Sequence, residues 1–360
     1  MTFQEHLAAL GAAAHLYANA SNAFKDFLAW LAAASGRERP AVLMPSYIPA
    51  KLNRAARAAG CEVRFYEVHG DCRWDLDEVE RRIDGDTIAV FHVHYFGFPG
   101  EVAAMRALAT ARGVVLVEDC ALTLGAMHRG RALGTFGDVA LFSMRKVLLY
   151  PEGGALVAGE RFRHFRPTRV RRVSSCWSAP RFALQRAKHA YVRLTGGADP
   201  LRLVRAGPEG YMDGRARQEL EVKRLSTFTG LRLPFTDVER AAARRREAYR
   251  YVLERLEVSS VVRPMFPELP DGVVPYSFPL LVRDERDDLR RALVREGILA
   301  AAGWPESPFD PALARTRALA RSVVELPVHQ ATTRRQLDRA LRCLERWARP
   351  RSVVRALGAP

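Results

Sequence analysis

Two acidic residues and a lysine occupy positions from which they could act on one ligand. Glu118 and Asp119 lie at the end of the apolar run VLVEDC, and Lys146 follows the apolar run VALFS by three residues. Side chains at the carboxyl ends of strands line the ligand sites of open α/β sheets. A lysine amine forms a Schiff base with an aldehyde and a carboxylate keeps a pyridine nitrogen protonated, as a pyridoxal phosphate (PLP) site requires. On residue type alone, Asp119 could equally cap a helix and Lys146 could face solvent.

The elements that carry these residues follow an α/β pattern. Between residues 41 and 158, short β-rich runs alternate with runs whose apolar residues recur at helical spacing, which predicts a mainly parallel sheet. The predicted strands are residues 41–44, 62–66, 87–93, 114–118, 139–143 and 155–158, and the predicted helices are residues 50–59, 76–83 and 101–112. An apolar helix over residues 23–34 precedes them, with the Ser21 hydroxyl as its predicted cap.

A second unit begins with a long charged helix, predicted at residues 237–256. The pattern then reads strand 276–282, helix 286–296, strand 298–304, helix 311–322, strand 323–327 and helix 333–348. We therefore expect a major α/β domain over residues 1–235 and a smaller α+β domain over residues 236–348, with a tail at 349–360.

The composition is that of an ordinary folded protein. The chain has 360 residues, of which 48% are hydrophobic and 27% are charged. The longest apolar stretch, residues 28–34, is far shorter than the roughly 20 residues that span a bilayer, and the first residues lack a secretory pattern. The five cysteines are scattered, without a Cys-x-x-Cys pair. We therefore expect a cytoplasmic protein with no membrane span, disulfide framework or metal site.

Positive charge is concentrated in residues 161–206, the basic segment. It holds twelve lysine or arginine residues and one acid, Asp199, and so supplies +11 of the formal net charge of +16. One interpretation is a solvated surface, and a second is that its arginines bind the diphosphate of a nucleotide-activated sugar. A third is attachment to an anionic membrane surface or a nucleic acid through Trp177, Phe182 and Tyr191. Because no DNA- or RNA-binding motif accompanies the segment, we expect no nucleic-acid partner.

Residues 115–154 resemble the sugar aminotransferases of the DegT/DnrJ/StrS type, which are PLP enzymes of fold type I. The matching elements are Glu118-Asp119-Cys120-Ala121, Gly125-Ala126, Gly137-Asp138, Phe142-Ser143, Lys146 and Glu152-Gly153-Gly154. More weakly, the resemblance extends over residues 13–348, through Asn19-Ala20-Ser21, Pro45-Ser46-Tyr47, residues 93–99 and residues 326–330. It implies an α/β PLP-binding major domain with a mostly parallel sheet, followed by a smaller α+β C-terminal domain.

The resemblance also implies a role for each matching residue. Lys146 would form the Schiff base and move protons, and Asp119 would pair with the pyridinium nitrogen. The other implied cofactor contacts are Ala20, Ser21, Tyr47, Leu122 and Ser143, and the implied substrate contacts are His94, Tyr95 and His329. Ser21 and Ser143 would hold the phosphate and Tyr47 would stack on the ring. The plain alternatives are turn serines, a buried tyrosine and, for His94, a histidine of the pocket wall.

Four departures distinguish this chain from that family. Leu122 replaces a glutamine that usually hydrogen-bonds the cofactor's ring hydroxyl, and Ala20 replaces a glycine of the phosphate turn. Two residues separate Ser143 from Lys146, where many members have four. The asparagine that usually precedes the Arg-Met-Ser stretch, here Arg224-Leu225-Ser226, is absent. Because that asparagine reaches the partner subunit, its absence weakens the argument for a homodimer.

By resemblance, we expect a PLP-dependent aminotransferase that moves an amino group from glutamate or glutamine to a nucleotide-linked keto sugar, and that forms a homodimer. Two alternatives stay open. The departures at Leu122 and Ala20 fit a PLP-fold protein without turnover, acting as a binding or regulatory module at an anionic surface. The other is a PLP dehydratase, against which Lys146 argues because related sugar dehydratases have histidine at that position.

Overall fold

The computed structural model describes residues 1–10, 13–195, 221–307 and 310–357. Its strands are β1 (Ala13–Tyr17), β2 (Ala41–Pro45), β3 (Glu62–Tyr66), β4 (Thr87–Val93), β5 (Val115–Cys120), β6 (Met127–His128), β7 (Arg131–Ala132), β8 (Val139–Ser143), β9 (Gly154–Ala158), β10 (Val262–Pro264), β11 (Ser277–Val282) and β12 (Val323–Pro327). Its helices are α1 (Phe3–Ala9), α2 (Ala20–Ser35), α3 (Ala50–Ala58), α4 (Leu76–Arg82), α5 (Val102–Ala111), α6 (Met144–Val147), α7 (Ser175–Thr195), α8 (Thr227–Arg232), α9 (Val238–Arg255), α10 (Arg286–Arg295), α11 (Ala314–Ser322) and α12 (Arg334–Leu357). Within these ranges, every helix is too short or too polar to cross a lipid bilayer.

Seven strands form the central sheet, in the order β1-β9-β8-β5-β4-β2-β3. The strands from β8 to β3 in this order run parallel, while β9 pairs antiparallel with both β8 and β1. β2, β4, β5, β8 and β9 are buried along their whole length, as is usual when helices cover both faces of a parallel sheet. The predicted α/β class with a mostly parallel sheet is therefore confirmed.

The predicted strands of this sheet match the observed ones to within two residues at each end. The sequence pattern does not predict β1, whose place is set by its pairing with β9. The prediction that Ser21 caps the first apolar helix is wrong. Asn19 caps α2, because its side-chain oxygen accepts the Asn22 N–H at 3.0 Å, and Ser21 lies inside the first turn.

Three antiparallel strands form a second sheet, in the order β10-β11-β12. The prediction of a strand at residues 298–304 is wrong. In that stretch only Ala301 pairs, exchanging two backbone hydrogen bonds with Glu325, and Gly303 turns the chain with a φ of +64°. Helix α12 continues through most of the predicted tail. The domain boundary near residue 235 stays a prediction.

The described part of the basic segment contains one long helix. The sequence predicts a helix over residues 181–194, and α7 includes that range but begins six residues earlier, at Ser175. The end of the basic segment, residues 196–206, lies outside the described residues.

Two glycines bring β9 against the start of α2. Gly153 N–H donates to the Ala18 carbonyl at 2.7 Å, and Gly154 pairs with Tyr17 of β1. A Cβ atom on Gly154 would lie 2.2 Å from the Ala20 nitrogen and from the Asn19 carbonyl carbon. Because both are backbone atoms, no side-chain rotation could make room.

We therefore predict that Gly154→Ala lowers the free energy of unfolding by about 3 kcal/mol. Urea unfolding followed by circular dichroism measures this. Gly230→Ala is the matched control: Gly230 lies in α8 with no atom within 4 Å of a new Cβ, so helix propensity should leave the protein equally or slightly more stable. Equal stability of the two variants would contradict the close approach of β9 and α2.

Candidate active site

Strand register brings the acid pair and the lysine to one edge of the central sheet. In the parallel β4-β5 pair Val93 is level with Asp119, and in the β5-β8 pair Cys120 is level with Phe142. The carboxyl ends of the three strands therefore meet, and α6, the single turn that carries Lys146, starts directly after β8. The sequence prediction that these residues share a sheet edge is confirmed.

Burial shifts the Lys146 amine toward its neutral form. The side chain is half-buried, and none of the carboxylates in the described residues forms an ion pair with it. Burial lowers the pKa of Lys146 and the neighbouring Arg145 adds to that effect, while the carboxylates of Asp119 and Glu325 oppose it. The result is an amine that loses its proton more easily than an ordinary lysine does.

Asp119 is buried beside this amine, with a relative exposure of 7%. Its Oδ1 accepts the Ala121 N–H at 2.9 Å, and its Oδ2 has no donor among the residues that the structure describes. Burial raises the pKa of Asp119, and Lys146 and the Ala121 amide offset that rise only in part. Oδ2 can therefore accept a hydrogen bond from a ligand N–H.

The other member of the acid pair, Glu118, is bound entirely within the protein. Its carboxylate accepts the N–H groups of Gly134, Phe136 and Gly137 at 2.5, 3.0 and 2.7 Å, and His94 Nε2 lies 2.9 Å from Oε1. Burial disfavours its charge, but the hydrogen bonds from His94 and from two of these amides outweigh that effect and lower the pKa of Glu118. Glu118 therefore holds the strand ends together and is not available to a ligand.

His94 and Tyr95 are buried and their polar atoms are bound to other residues. His94 contacts the Pro99 carbonyl through Nδ1 at 2.8 Å, in addition to Glu118, and the Tyr95 hydroxyl donates to the Tyr47 carbonyl at 2.7 Å. These contacts stabilise the wall of the site. The assignment of both residues to substrate binding stays a prediction.

The start of α2 lies next to the end of β8. Gly154 touches the backbone of Ala20 and is also the antiparallel partner of Ser143. Ser21 and Ser143 are nearly buried, and neither hydroxyl has a hydrogen-bond partner within the described ranges. The N-terminus of the 16-residue α2 and two unused hydroxyls form a set of donors that suits a phosphate group.

The remaining predicted residues lie around this edge. Leu122 is buried just after β5 and offers no polar atom. Tyr47 is fully buried, with its ring centroid 5.7 Å from Tyr95 and 4.9 Å from Trp304. His329 is half-buried, and its Nδ1 accepts the Ala331 N–H at 3.2 Å. The contacts of Tyr47 and His329 with a ligand stay predictions.

Glu152 attaches the basic segment to the rim of the site. It directly precedes Gly153-Gly154, and its Oε1 accepts the hydroxyl groups of Ser178 at 2.8 Å, of Thr229 at 2.8 Å and of Ser226. Ser178 belongs to α7, while Ser226 and Thr229 form the start of α8. At the far end of α7, the His189 ring lies 6.2 Å from His329. Helix α7 therefore runs along the rim, between the Glu152 loop and the C-terminal part of the chain.

Two further residues approach Lys146 and were absent from the sequence prediction. Glu325 of β12 accepts the Ser277 hydroxyl at 2.5 Å, and burial raises its pKa while Lys146 acts in the opposite direction. Arg245 of α9 donates to the Lys146 carbonyl at 3.2 Å. The sequence carried a signal for Arg245, since Ala242, Arg245 and Tyr249 have the spacing of one buried helix face. For Glu325 the signal was an acid within the apolar run VVELP.

Comparison with known proteins finds one family to which the first part of this chain is similar. The sequence profile of the DegT/DnrJ/EryC1/StrS aminotransferase family matches residues 1–166. The match covers a little less than half of the chain, so the similarity to this family concerns that part. The matched part contains Asp119, Ser143 and Lys146, whereas Arg245 and His329 follow it. The resemblance stated from the sequence motifs is therefore confirmed.

Relatives and solved structures support the same conclusion. A dTDP-3-amino-3,4,6-trideoxy-alpha-D-glucose transaminase of Streptomyces venezuelae is 26% identical over 326 residues, which cover 85% of this chain and 76% of that protein. A GDP-perosamine synthase of Vibrio cholerae is 33% identical over 121 residues, so the match spans 32% of this chain and only 33% of that relative. The structure of S. venezuelae DesV in complex with a ketimine intermediate has a TM-score of 0.67 and 24% identity, covering 96% of this chain and 88% of that one. The similarity to this solved structure is evidence for the fold alone.

We predict that Glu118→Gln lowers the free energy of unfolding by about 2 kcal/mol at neutral pH, because an amide cannot accept all the hydrogen bonds of the carboxylate. The pKa of Glu118 is lower in the folded protein than its ordinary value of 4.5. Its contribution is therefore complete above pH 4.5 and disappears as the pH falls through the folded-state pKa. The stability difference between wild type and variant should narrow over that range.

Urea unfolding at a series of pH values measures this difference. Glu160→Gln is the control, because Glu160 is exposed and its ion pair among the described residues is with the exposed Arg163. A pH-independent difference, or an equal loss in the control, would show that Glu118 does not carry the stabilising charge.

Proposed function

We propose that this protein is a PLP-dependent aminotransferase that moves an amino group from an amino acid to a keto sugar. The observation that supports it most is the Lys146 amine, shifted by burial toward its neutral form beside the buried Asp119. A neutral amine is nucleophilic and can also accept a proton, and transamination needs both properties.

The residues at the sheet edge fit PLP. Lys146 offers an amine to the aldehyde, Asp119 Oδ2 offers an acceptor to the pyridinium N–H, and Ser21, Ser143 and the start of α2 offer donors to the phosphate. Leu122 leaves the ring hydroxyl without the side-chain hydrogen bond that a glutamine would donate. Bound there, the cofactor supplies an electron sink that stabilises negative charge on the carbon bearing the amino group.

The chain's own groups then have distinct tasks in the proposed reaction. Asp119 Oδ2 would accept a hydrogen bond from the ring nitrogen and so favour a proton there. Lys146 Nζ takes the proton from the α-carbon of the amino donor and returns a proton to the acceptor carbon, because its lowered pKa makes the neutral amine more available than in an ordinary lysine. The buried side chains of Tyr47, Tyr95 and Leu122 exclude water from this edge.

We infer that the acceptor is linked to a nucleotide, and that glutamate or glutamine is the donor. The relatives include proteins named for dTDP- and GDP-linked sugars, and α7 runs along the rim of the site with its arginines and no acidic residue. A diphosphate would find complementary charge at that rim. We also propose that the enzyme is a cytoplasmic homodimer. All five cysteines are free thiols, which suits a reducing compartment.

A second candidate is a PLP-fold protein that binds an anionic surface without turnover. The observation in its favour is the face of α7 formed by Trp177, Leu184 and Tyr191, which are seven residues apart and exposed. Apolar and basic groups on one helix are typical of a segment that lies on a membrane surface.

We predict that the purified protein develops a visible absorption band when PLP is added, and that the band declines on addition of glutamate or glutamine. The band should be lost in Lys146→Ala, because no amine then reacts with the aldehyde. Lys223→Ala removes a lysine whose amine is already paired with Glu221, and should keep the band. A band that does not depend on Lys146, or that ignores amino donors, would refute transamination and favour the second candidate.

We predict that Arg181→Gln with Arg186→Gln raises the KM for a nucleotide-linked keto sugar by roughly a hundredfold or more, since two charged hydrogen bonds are lost and each contributes roughly 1.5–3 kcal/mol. Steady-state kinetics with the amino donor at saturation measures it. Arg291→Gln with Arg295→Gln on α10 changes the net charge equally and should leave the KM unchanged. Equal effects in both pairs would assign the result to overall charge and remove α7 from the substrate site.

A further inference from the structure

Arg245 is an arginine buried in an apolar helix face. It lies on α9 between Ala242 and Tyr249, and only 1% of its surface is exposed. Within residues 1–10, 13–195, 221–307 and 310–357, it forms no ion pair with a carboxylate. Burial lowers the pKa of its guanidinium to about 10. A buried cation without a counterion destabilises a fold unless dipoles replace the lost water.

Backbone carbonyl groups provide that replacement. Nη1 donates to the Tyr276 carbonyl at 2.8 Å and to the Pro275 carbonyl at 3.4 Å. Nη2 donates to the carbonyls of Lys146 and Val147, both at 3.2 Å. One planar group therefore ties the start of β11 to the residue that carries the reactive amine.

Helix α6 needs such a partner because it is a single turn of four residues. The last carbonyl groups of any helix have no acceptor role within it, and a positive group at that end is favourable. Arg245 satisfies two of these carbonyls, and Gln330 Nε2 donates to the Val147 carbonyl at 2.9 Å. Two residues after α6, Leu149 has a φ of +61°, which costs energy for a residue with a side chain. The backbone of Lys146 is thus held from outside and not by its own helix.

We propose that Arg245 is a positioning residue that fixes the backbone of Lys146 and thereby the place of its amine. This rests on the proposed function only in taking Lys146 as the reacting amine. A carboxylate as counterion to Arg245 would disturb the site, because its negative charge would raise the pKa of the Lys146 amine. The carbonyl dipoles stabilise the buried guanidinium, and no third carboxylate has to lie beside Asp119 and Glu325.

The adjacent arginine offers a matched control. Arg246 also donates to backbone carbonyls, those of Pro270 and Val273, and pairs with Asp271. It therefore binds a loop of the C-terminal part through backbone carbonyls as well as one carboxylate, and its hydrogen bonds within the described residues do not reach α6. Arg245→Met and Arg246→Met remove the same charge and the same number of donors.

The first test uses the full chain without added cofactor. Hydrogen exchange of the amides at residues 144–150 and acetylation of Lys146 by acetic anhydride, both followed by mass spectrometry, report the backbone and the amine directly. In Arg245→Met we expect exchange in this segment to quicken at least tenfold and the pH profile of Lys146 acetylation to shift. Arg246→Met should keep both at wild-type values. A folded Arg245→Met with unchanged exchange and acetylation would overturn the proposal.

Two further variants keep the proposal testable if Arg245→Met does not fold. Arg245→Lys retains the charge but replaces the two donating nitrogens of the guanidinium with a single amine. It should quicken hydrogen exchange at residues 144–150 in a folded protein. Gln330→Ala removes the other donor to Val147 and should give a smaller change in the same segment. Wild-type exchange in both folded variants would also overturn the proposal.

An experiment with added PLP distinguishes a failure of this proposal from a failure of the proposed function. If the wild type forms the visible band, Arg245→Met should lower kcat at least tenfold with little change in the KM for either substrate, because only the amine is displaced. If the wild type forms no band, transamination fails. The exchange and acetylation results would then still decide whether Arg245 positions Lys146.

Discussion

The buried carboxylate of Glu118 is the interaction on which the geometry of the candidate site depends. A carboxylate without water needs several donors, and here three amides of residues 134–137 and the His94 ring provide them. These donors belong to the loop that leads into β8 and to the end of β4. Glu118 therefore joins the carboxyl ends of β4 and β5 to the loop that precedes β8, and strand alternation directs its neighbour Asp119 to the other side of β5.

The same burial creates the chemistry of the site. Burial raises the pKa of Asp119 and lowers that of Lys146, so each group shifts toward its neutral form although their mutual attraction opposes this. Such shifts are typical of functional sites, where an amine must act as nucleophile and base near neutral pH. The carbonyl contacts of Arg245 add rigidity to Lys146 without adding a negative charge.

Small residues and one further buried acid assemble the opposite side of the site. Gly154 lets β9 lie directly against the start of α2, and Glu152 binds the hydroxyl groups of α7 and α8. The loop between α6 and β9 therefore positions the phosphate donors and the basic helix together. A change in this loop would affect both.

The sequence by itself determined the parallel strands, the α/β class and the positions of Asp119, Ser143 and Lys146, because apolar periodicity and short motifs are local signals. It did not determine β1, whose pairing with β9 joins distant parts of the chain, and it predicted a strand at residues 298–304 where Gly303 turns the backbone. It identified Glu118 and Asp119 as an acid pair, but it could not show which of the two carboxylates is available to a ligand. Only the tertiary structure decided that Glu118 is bound within the protein, that Asp119 keeps a free oxygen and that Arg245 holds Lys146, because each depends on donors, acceptors and burial contributed by residues far away in the sequence.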